Sequence, residues 1–184
     1  MNRKMTPILL AAALLLGLVT YLFESSAPSE QRSAPTGGSR VLEVDRADIL
    51  QVRVRRDYWN SYTLQRQPDG SWQLTEPSIE PASVPAVNRL LNALETLPVV
   101  TTIDLPASDS ERHREYGLWE PAMEVTVTTG NGDHTLLFGS PTADGKGVYC
   151  AEAGRDRVYV TTAEAVRVIS TEFAVYRQGS KATG

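Results

Sequence analysis

The sequence predicts an α+β fold, in which two amphipathic helices cover largely antiparallel sheet and one N-terminal transmembrane helix precedes the domain. Three observations support this class. Residues 5–23 are apolar and uncharged, short segments alternate apolar and polar residues, and later segments carry apolar residues at helical spacing. The predicted strands are joined by turns of about two to four residues, which are too short for the crossover that parallel strands require.

Residues 1–23 are predicted to be a cytoplasmic tip and a transmembrane anchor. As a helix, the apolar run would rise about 28 Å, close to the ~30 Å hydrocarbon core of a bilayer. A cleaved signal is the alternative, but its apolar core is usually about 7–15 residues long, and here Pro28 follows the nearest small-residue site. Arg3 and Lys4 precede the run. We therefore expect a single-pass protein of the bacterial inner membrane with its N-terminus in the cytoplasm and its domain in the periplasm or outside the cell.

The rest of the chain divides by composition into three parts. Residues 24–40, rich in Ser, Pro and Gly, are predicted to be a flexible linker, residues 41–177 a single domain, and residues 178–184 a disordered tail. After residue 23 there are 16 basic residues (18 less Arg3 and Lys4) against 22 acidic ones, a net charge of −6. This charge argues against a nucleic-acid partner and against an electrostatic hold on anionic lipid.

Seven short strands are predicted from the alternation of apolar and polar residues. They cover residues 49–54, 62–66, 72–74, 123–127, 135–138, 148–151 and 158–160. Tight turns are expected at residues 69–70, 130–132 and 154–156. The strands form two runs that are each followed by a helix, but no residue-level repeat supports an internal duplication.

The first predicted helix begins after Ser83, a good N-cap residue, and tolerates Pro85 in its first turn. One face of this helix is apolar. Its members are Val84, Val87, Leu90, Leu91, Leu94 and Leu97. Such a face predicts packing against a sheet.

Two shorter helices are predicted from their capping residues. Ser108 and Glu111 have capping-box spacing, and Gly117 suits the left-handed residue that ends a helix. Thr161 and Glu164 offer a second capping box. Apolar residues at helical spacing follow it, at Val166, Ile169 and Phe173.

Several motifs resemble an uncharacterised bacterial family. The sharpest is the Tyr-Gly-Leu-x-x-Pro string of Tyr116, Gly117, Leu118 and Pro121. The other motifs are Trp72-Gln73-Leu74, Leu137-Phe138-Gly139, Val148-Tyr149 and Val158-Tyr159-Val160. The resemblance covers roughly residues 41–176 together with the N-terminal anchor. Family members carry an N-terminal membrane helix and an exported domain, often beside ABC transporters of the gliding-motility type. The resemblance implies an accessory or scaffolding role with ABC transporter subunits as partners, and no catalytic residue.

Aromatic residues suggest a second function. Tyr58, Trp59 and Tyr62 crowd the edge of the first hairpin, where exposed rings would form a partner or ligand surface. A cell-wall or polysaccharide-binding module is therefore the alternative hypothesis. Tyr116 and Trp119, which flank Gly117, are instead expected to pack at the helix cap.

An exported hydrolase ranks third. Asp104, Asp109 and His113 could supply an acid and a base, but helix capping already accounts for Asp109. Neither His113 nor His134 has metal-ligand spacing to another ligand. Cys150, the only cysteine, has no basic neighbour in sequence that would activate its thiol, so it is predicted to be a small buried hydrophobe and not a nucleophile. We therefore predict a protein that is not an enzyme and holds no cofactor or metal.

Overall fold

One nine-stranded sheet, antiparallel at every pairing, forms the frame of the structure. The computed structural model describes residues 41–56 and 61–177. The strands are β1 (Ile49–Arg55), β2 (Tyr62–Arg66), β3 (Trp72–Glu76), β4 (Glu80–Pro81), β5 (Thr101–Asp104), β6 (Met123–Thr129), β7 (Gly132–Pro141), β8 (Gly147–Glu152) and β9 (Arg157–Thr162). The helices are α1 (Val84–Glu95), α2 (Ser110–Glu115) and α3 (Ala163–Ile169), and short 3₁₀ segments lie at Arg46–Asp48 and Phe173–Tyr176. The α+β class is confirmed for these residues.

Several predictions fall on residues that the structure does not describe. They are the anchor at 5–23, the linker at 24–40, the tail at 178–184, and Tyr58 and Trp59. Among residues 41–56 and 61–177, no helix combines the length and the apolar character needed to cross a bilayer.

The strand order is β4-β3-β2-β1-β6-β7-β8-β9-β5. Two meanders therefore run outward in opposite directions from the central pair of β1 and β6. The first meander leads into α1 and the second into α3. Strand β5 crosses back to the far edge, where it pairs with β9.

One side of the sheet, which we call the inner face, is covered by α1 and α3. Its strand residues include the fully buried Val52, Leu64, Val127 and Leu136. Helix α1 contributes Ala86, Val87, Leu90, Leu91 and Leu94 to the same core. The predicted apolar face of the first helix is thus confirmed, with the exception of Val84. Val84, the first residue of α1, is 59% exposed, and Leu97 is buried but lies beyond the end of the helix.

Two predicted helix caps are displaced by one residue. The N-cap of α2 is Asp109, not Ser108, and its side chain accepts a hydrogen bond from the Arg112 N–H at 3.2 Å. The N-cap of α3 is Thr162, not Thr161. Thr161 belongs to β9, where strand alternation turns its side chain inward and buries it completely.

The C-terminal 3₁₀ segment packs onto the start of α1 and the start of β2. The Ser83 N–H donates to the Tyr176 carbonyl oxygen at 2.6 Å. Tyr176 is buried, with its ring centroid 4.9 Å from that of Tyr62. Arg177 forms an antiparallel bridge with Ala82, just beyond the edge strand β4. The end of the domain therefore covers part of this sheet edge.

Candidate binding surface

The side of the sheet opposite α1 and α3, which we call the outer face, has two different halves. Over β7, β8, β9 and β5 it is covered by the segment of residues 105–121, which encloses a second, smaller core. That core consists of Leu105, Leu118, Ala151 and Val158, with Ile103, Tyr116, Leu137 and Tyr149 packed against it. Over β3, β2, β1 and β6 the outer face carries polar side chains and is not covered by that segment. We call this part the open half, and it is the candidate surface for binding.

The family-like string begins where α2 ends, and we call residues 116–121 the cap loop. Gly117 has φ +71°, the left-handed conformation that the sequence predicted. The Leu118 N–H donates to the His113 carbonyl at 2.8 Å and the Gly117 N–H to the Arg114 carbonyl at 3.0 Å. This is the Schellman arrangement, in which an apolar residue follows the glycine and packs against the protein. Leu118 does so and is buried.

The cap loop is held directly against strand β7. The Ser140 N–H donates to the Tyr116 carbonyl oxygen at 2.9 Å. On its other side, the Tyr116 ring lies 4.5 Å from the ring of Tyr149, centroid to centroid. Two of the motifs that carry the family resemblance, one around Gly117 and one ending at Gly139, are thus in contact. This contact gives the motif residues at the cap loop and at Gly139 a packing role that requires no bound ligand.

Trp119 does not pack as predicted. It is 57% exposed, and the guanidinium carbon of Arg114 lies 5.5 Å from the centroid of its ring. A cation over an aromatic ring is weakly attractive at such an exposed position. Tyr116, by contrast, is half-buried, consistent with the expected packing at the cap.

On the open half of the outer face, the strand register places side chains of neighbouring strands directly opposite one another. These side chains form rows that run across the strands. In one row, Arg53 lies opposite Thr63 on β2, and Thr63 lies opposite Glu76 on β3. The Thr63 hydroxyl donates to Glu76 Oε2 at 2.5 Å, and Arg53 Nε lies 3.4 Å from the Thr63 hydroxyl and 3.9 Å from Glu76 Oε2. The side chains of this row therefore bind one another.

The neighbouring contacts on this face are also internal. Arg55 on β1 forms an ion pair with Glu124, its direct partner on β6. The hydroxyls of Thr126 and Thr135, which are paired across β6 and β7, lie 3.3 Å apart. The charges of Arg53 and Arg55 are thus each balanced by a carboxylate on an adjacent strand.

A further row consists of Gln51, Gln65 and Gln73, and we call it the glutamine row. Gln51 on β1 lies directly opposite Gln65 on β2, which lies opposite Gln73 on β3. Gln65 is exposed and the other two are half-buried. Unlike the neighbouring rows, the glutamine row makes no side-chain hydrogen bond to any of the described residues. Sequence reasoning missed this row, although each glutamine occupies a polar position in an alternating strand.

A shallow, open depression adjoins the glutamine row at the β2–β3 turn. It is lined by Leu50, Gln65, Arg66, Gln67, Pro68 and Gly70. Leu50 is 46% exposed, at the bulge where the register between β1 and β6 shifts. The surface therefore combines free amides with a small apolar border.

The predicted aromatic surface loses one of its three members. Tyr62 is 1% exposed and belongs to the core, so its assignment to an exposed surface was wrong. It lies opposite Val54, and that register directs its ring to the inner face. Burial, with a further contribution from the neighbouring Tyr176, raises the pKa of the Tyr62 hydroxyl well above its usual value. Tyr58 and Trp59 lie outside the described residues.

The residues proposed for acid and base chemistry have separate local roles. Asp104 lies 3.5 Å from Arg157 at the edge strand, and Asp109 caps α2. His113 Nε2 lies 3.3 Å from the Pro106 carbonyl oxygen. His134 Nδ1 lies 2.9 Å from Glu152 Oε1. Within residues 41–56 and 61–177, no group of three or more His, Cys, Asp or Glu side chains is placed to hold a metal ion.

Cys150 lies on the inner face of β8 and is completely buried. Burial raises the pKa of its thiol to about 12, because a thiolate would lose its hydration there. The thiolate is the reactive form of cysteine. The prediction that Cys150 is a small buried hydrophobe is confirmed.

Comparison of the whole chain with known families gives one match, to a domain of unknown function, DUF4340, over residues 72–179. No curated protein and no solved structure matches the chain. The match begins at β3, later than the expected start near residue 41, and leaves out the central strand β1. It covers more than half of the sequence and contains every motif that carried the resemblance. The chain therefore belongs to the DUF4340 family of uncharacterised domains.

Proposed function

We propose that this protein is a non-enzymatic accessory or scaffolding component of an ABC-type export or gliding-like system. Residues 5–23 would hold it in the inner membrane, and the domain would act in the periplasm or outside the cell. The observation that best supports the proposal is the open half of the outer face. It is a polar surface next to strand β7, to which the cap loop is hydrogen-bonded, and Arg53, Arg55 and Gln65 are exposed on it.

The arrangement of the acidic residues also favours a binding role over hydrolysis. Hydrolytic chemistry needs an acid, a base and a group that orients them within mutual reach. Asp109 is committed to a helix cap and Asp104 to an ion pair, and within the described residues no hydrogen bond joins either carboxylate to the His113 ring.

Site-specific crosslinking in intact membranes tests this proposal. A photoreactive residue at Arg53 would probe the outer face, and the same residue at Asn92, an exposed position on α1, is the matched control. After solubilisation, a C-terminally tagged chain is purified and its adducts are identified by mass spectrometry. We expect an ABC permease or its extracytoplasmic subunit from position 53 and little from position 92. Absence of any transporter subunit from both positions would contradict the proposal.

The second candidate function is a wall- or polysaccharide-binding module. The three-residue aromatic surface that suggested it is not present as predicted. Tyr62 is not available to a ligand, which leaves Tyr58 and Trp59 from the aromatic hypothesis. Replacing both by alanine tests their part, because retention of wall binding in a pull-down would remove the aromatic hypothesis. The glutamine row offers a separate reason to consider a glycan ligand.

A further inference from the structure

We propose that the glutamine row binds a neutral glycan strand, which lies across β1, β2 and β3. The inference rests on the extracytoplasmic placement of the domain in the proposed function, since that is where a wall or surface glycan is met. It does not depend on a transporter partner. The purified chain alone can therefore test it.

The first step of the argument concerns charge. The arginines nearest the row are already engaged: Arg53 with Glu76, and Arg55 with Glu124. Arg66, at the end of β2, donates to the Ala47 carbonyl oxygen at 2.7 Å. Polyanion recognition depends on cations that can reach phosphate or carboxylate groups. Arg53 and Arg55 are thus balanced by carboxylates, and of these three arginines Arg66 alone has no carboxylate partner among the described residues, an arrangement that favours an uncharged ligand over a polyanion.

The second step concerns hydrogen bonding. Each glutamine amide offers two donor hydrogens and one acceptor oxygen, and the three amides have no partner among the described residues. Sugar hydroxyl and acetamido groups also donate and accept, so they can satisfy both ends of each amide. Adjacent strands are about 4.8 Å apart, so the row repeats its amides at close and regular intervals. A repeating polymer of hydroxyl and amide groups matches that pattern.

The row continues beyond the glutamines. Thr128 on β6 lies opposite Gln51 and is half-buried. Its hydroxyl has no hydrogen-bond partner among the described residues. A ligand that followed the row would therefore meet hydrogen-bonding groups on four consecutive strands, from β3 to β6.

The third step concerns the border of the row. Leu50 and Pro68 line the adjoining depression together with Gln65 and Gln67. A pyranose ring has faces of C–H groups that pack on apolar side chains, while its hydroxyls point outward. A second copy of the chain is the less favoured occupant, because the centres of homodimer interfaces are usually more apolar than this amide row.

Solution NMR on the purified full chain, with selectively labelled glutamine side chains, tests the proposal. The probe is chitohexaose, a soluble neutral glycan. We expect its titration to shift the side-chain amide signals of Gln51, Gln65 and Gln73. The triple variant Gln51→Ala, Gln65→Ala, Gln73→Ala should bind at least about tenfold more weakly, since it lacks all three hydrogen-bonding groups of the row. Asn92→Ala, an exposed amide removed from α1, should leave the affinity unchanged.

A single variant provides a second test in case the triple variant does not fold. Because Gln51 and Gln73 are half-buried, the single variant Gln65→Ala serves if the triple variant unfolds. It should weaken binding by a few-fold. Unchanged amide signals at millimolar chitohexaose would overturn the proposal. So would an unchanged affinity in Gln65→Ala, or concentration-dependent dimerisation that buries the row. Failure here would leave the transporter crosslinks at Arg53 untouched, so the two proposals can fail separately.

Discussion

The Tyr116 carbonyl oxygen lies where a side chain at Gly139 would begin. A Cβ atom built on Gly139 would be 2.2 Å from that oxygen and 3.0 Å from the Gly117 carbonyl carbon. The same oxygen accepts the Ser140 N–H at 2.9 Å. The contact is between two stretches of backbone, so neither partner can move aside by changing a rotamer. Glycine at 139 is therefore a condition for docking the cap loop on β7.

Replacement of Gly139 by alanine should destabilise the domain. Since the added methyl group meets backbone atoms, the cap loop or β7 must shift, and we expect a loss of about 2–3 kcal/mol in the free energy of unfolding. Gly130→Ala is the matched control, because a Cβ there meets nothing within 4 Å. Urea unfolding of the full chain, followed by circular dichroism, measures both. Equal midpoints for the two variants would contradict the packing account.

Replacement of Gly117 by alanine should destabilise the domain in two ways, through backbone strain and through a steric clash with Ser140. The same replacement at Gly145 causes the strain without the clash, so comparing the two variants separates these effects. Gly117 and Gly145 have nearly the same left-handed φ, +71° and +69°, so alanine is strained by about 1–2 kcal/mol at either position. At 117 the new Cβ would also lie 2.4 Å from Ser140 Oγ and 2.8 Å from Ser140 N, whereas at 145 nothing lies within 4 Å. We expect Gly117→Ala to lower the urea midpoint clearly more than Gly145→Ala. A similar loss in both would show that backbone strain alone requires the glycine.

Most of the fold follows from local patterns that the sequence displays. The strand that became β2 alternates apolar and polar residues, and α1 has one continuous apolar face, so both are predictable from periodicity. Strand β5 was not predicted. It is four residues long at an edge, and Thr101, Thr102 and Ile103 are all half-buried, so no alternation marks it. The N-cap of α3 was placed one residue too early for a similar reason. Thr161 and Thr162 are the same residue type, and they differ only in which side of β9 they face, which the sequence does not show.

The candidate surface is harder to predict because it depends on register between strands. Gln51, Gln65 and Gln73 are separated in sequence and become a row only when β1, β2 and β3 pair as they do. Tyr62 fails as a surface residue for the same reason. Its place opposite Val54, and not its neighbours in sequence, directs its ring into the core.

Cys150 should be unreactive in the folded chain and should make folding sensitive to alkaline pH. Because burial raises the pKa of its thiol to about 12, the folded state keeps a proton that the unfolded state loses from about pH 8.5 upward. Its contribution to stability is therefore complete below that pH and declines as pH rises toward 12. Modification by a thiol reagent at pH 8 should be slow in buffer and fast in urea.

A relocated thiol provides the control for this experiment. The double variant Cys150→Ala, Asn92→Cys places the single thiol at an exposed position on α1. This variant should react rapidly without urea under the same conditions. Rapid modification of the native chain at Cys150 would contradict the buried position of the thiol.

The buried pair of Tyr62 and Tyr176 should be a second cause of lost folding stability at alkaline pH. Burial is the main cause that raises the pKa of both Tyr62 and Tyr176, so the folded domain disfavours phenolate at either position. Tyrosine in the unfolded chain ionises near pH 10. The stability that these protonated phenols contribute is therefore present below pH 10 and lost as pH rises above it. Tyr62→Phe cannot ionise, so it should flatten this loss.

The measurement compares urea midpoints at pH 7 and pH 10.5 in the Cys150→Ala background, where the thiol does not contribute. At pH 7 the Tyr62→Phe variant should be less stable than its parent by about 1 kcal/mol, because it loses the hydrogen bond with the Tyr176 side chain and the 3.5 Å contact to the Ile169 carbonyl oxygen. At pH 10.5 the parent should lose more stability than the variant. If both fell equally between the two pH values, ionisation of Tyr62 would not be coupled to unfolding, and the ring would have to reach water in the native domain.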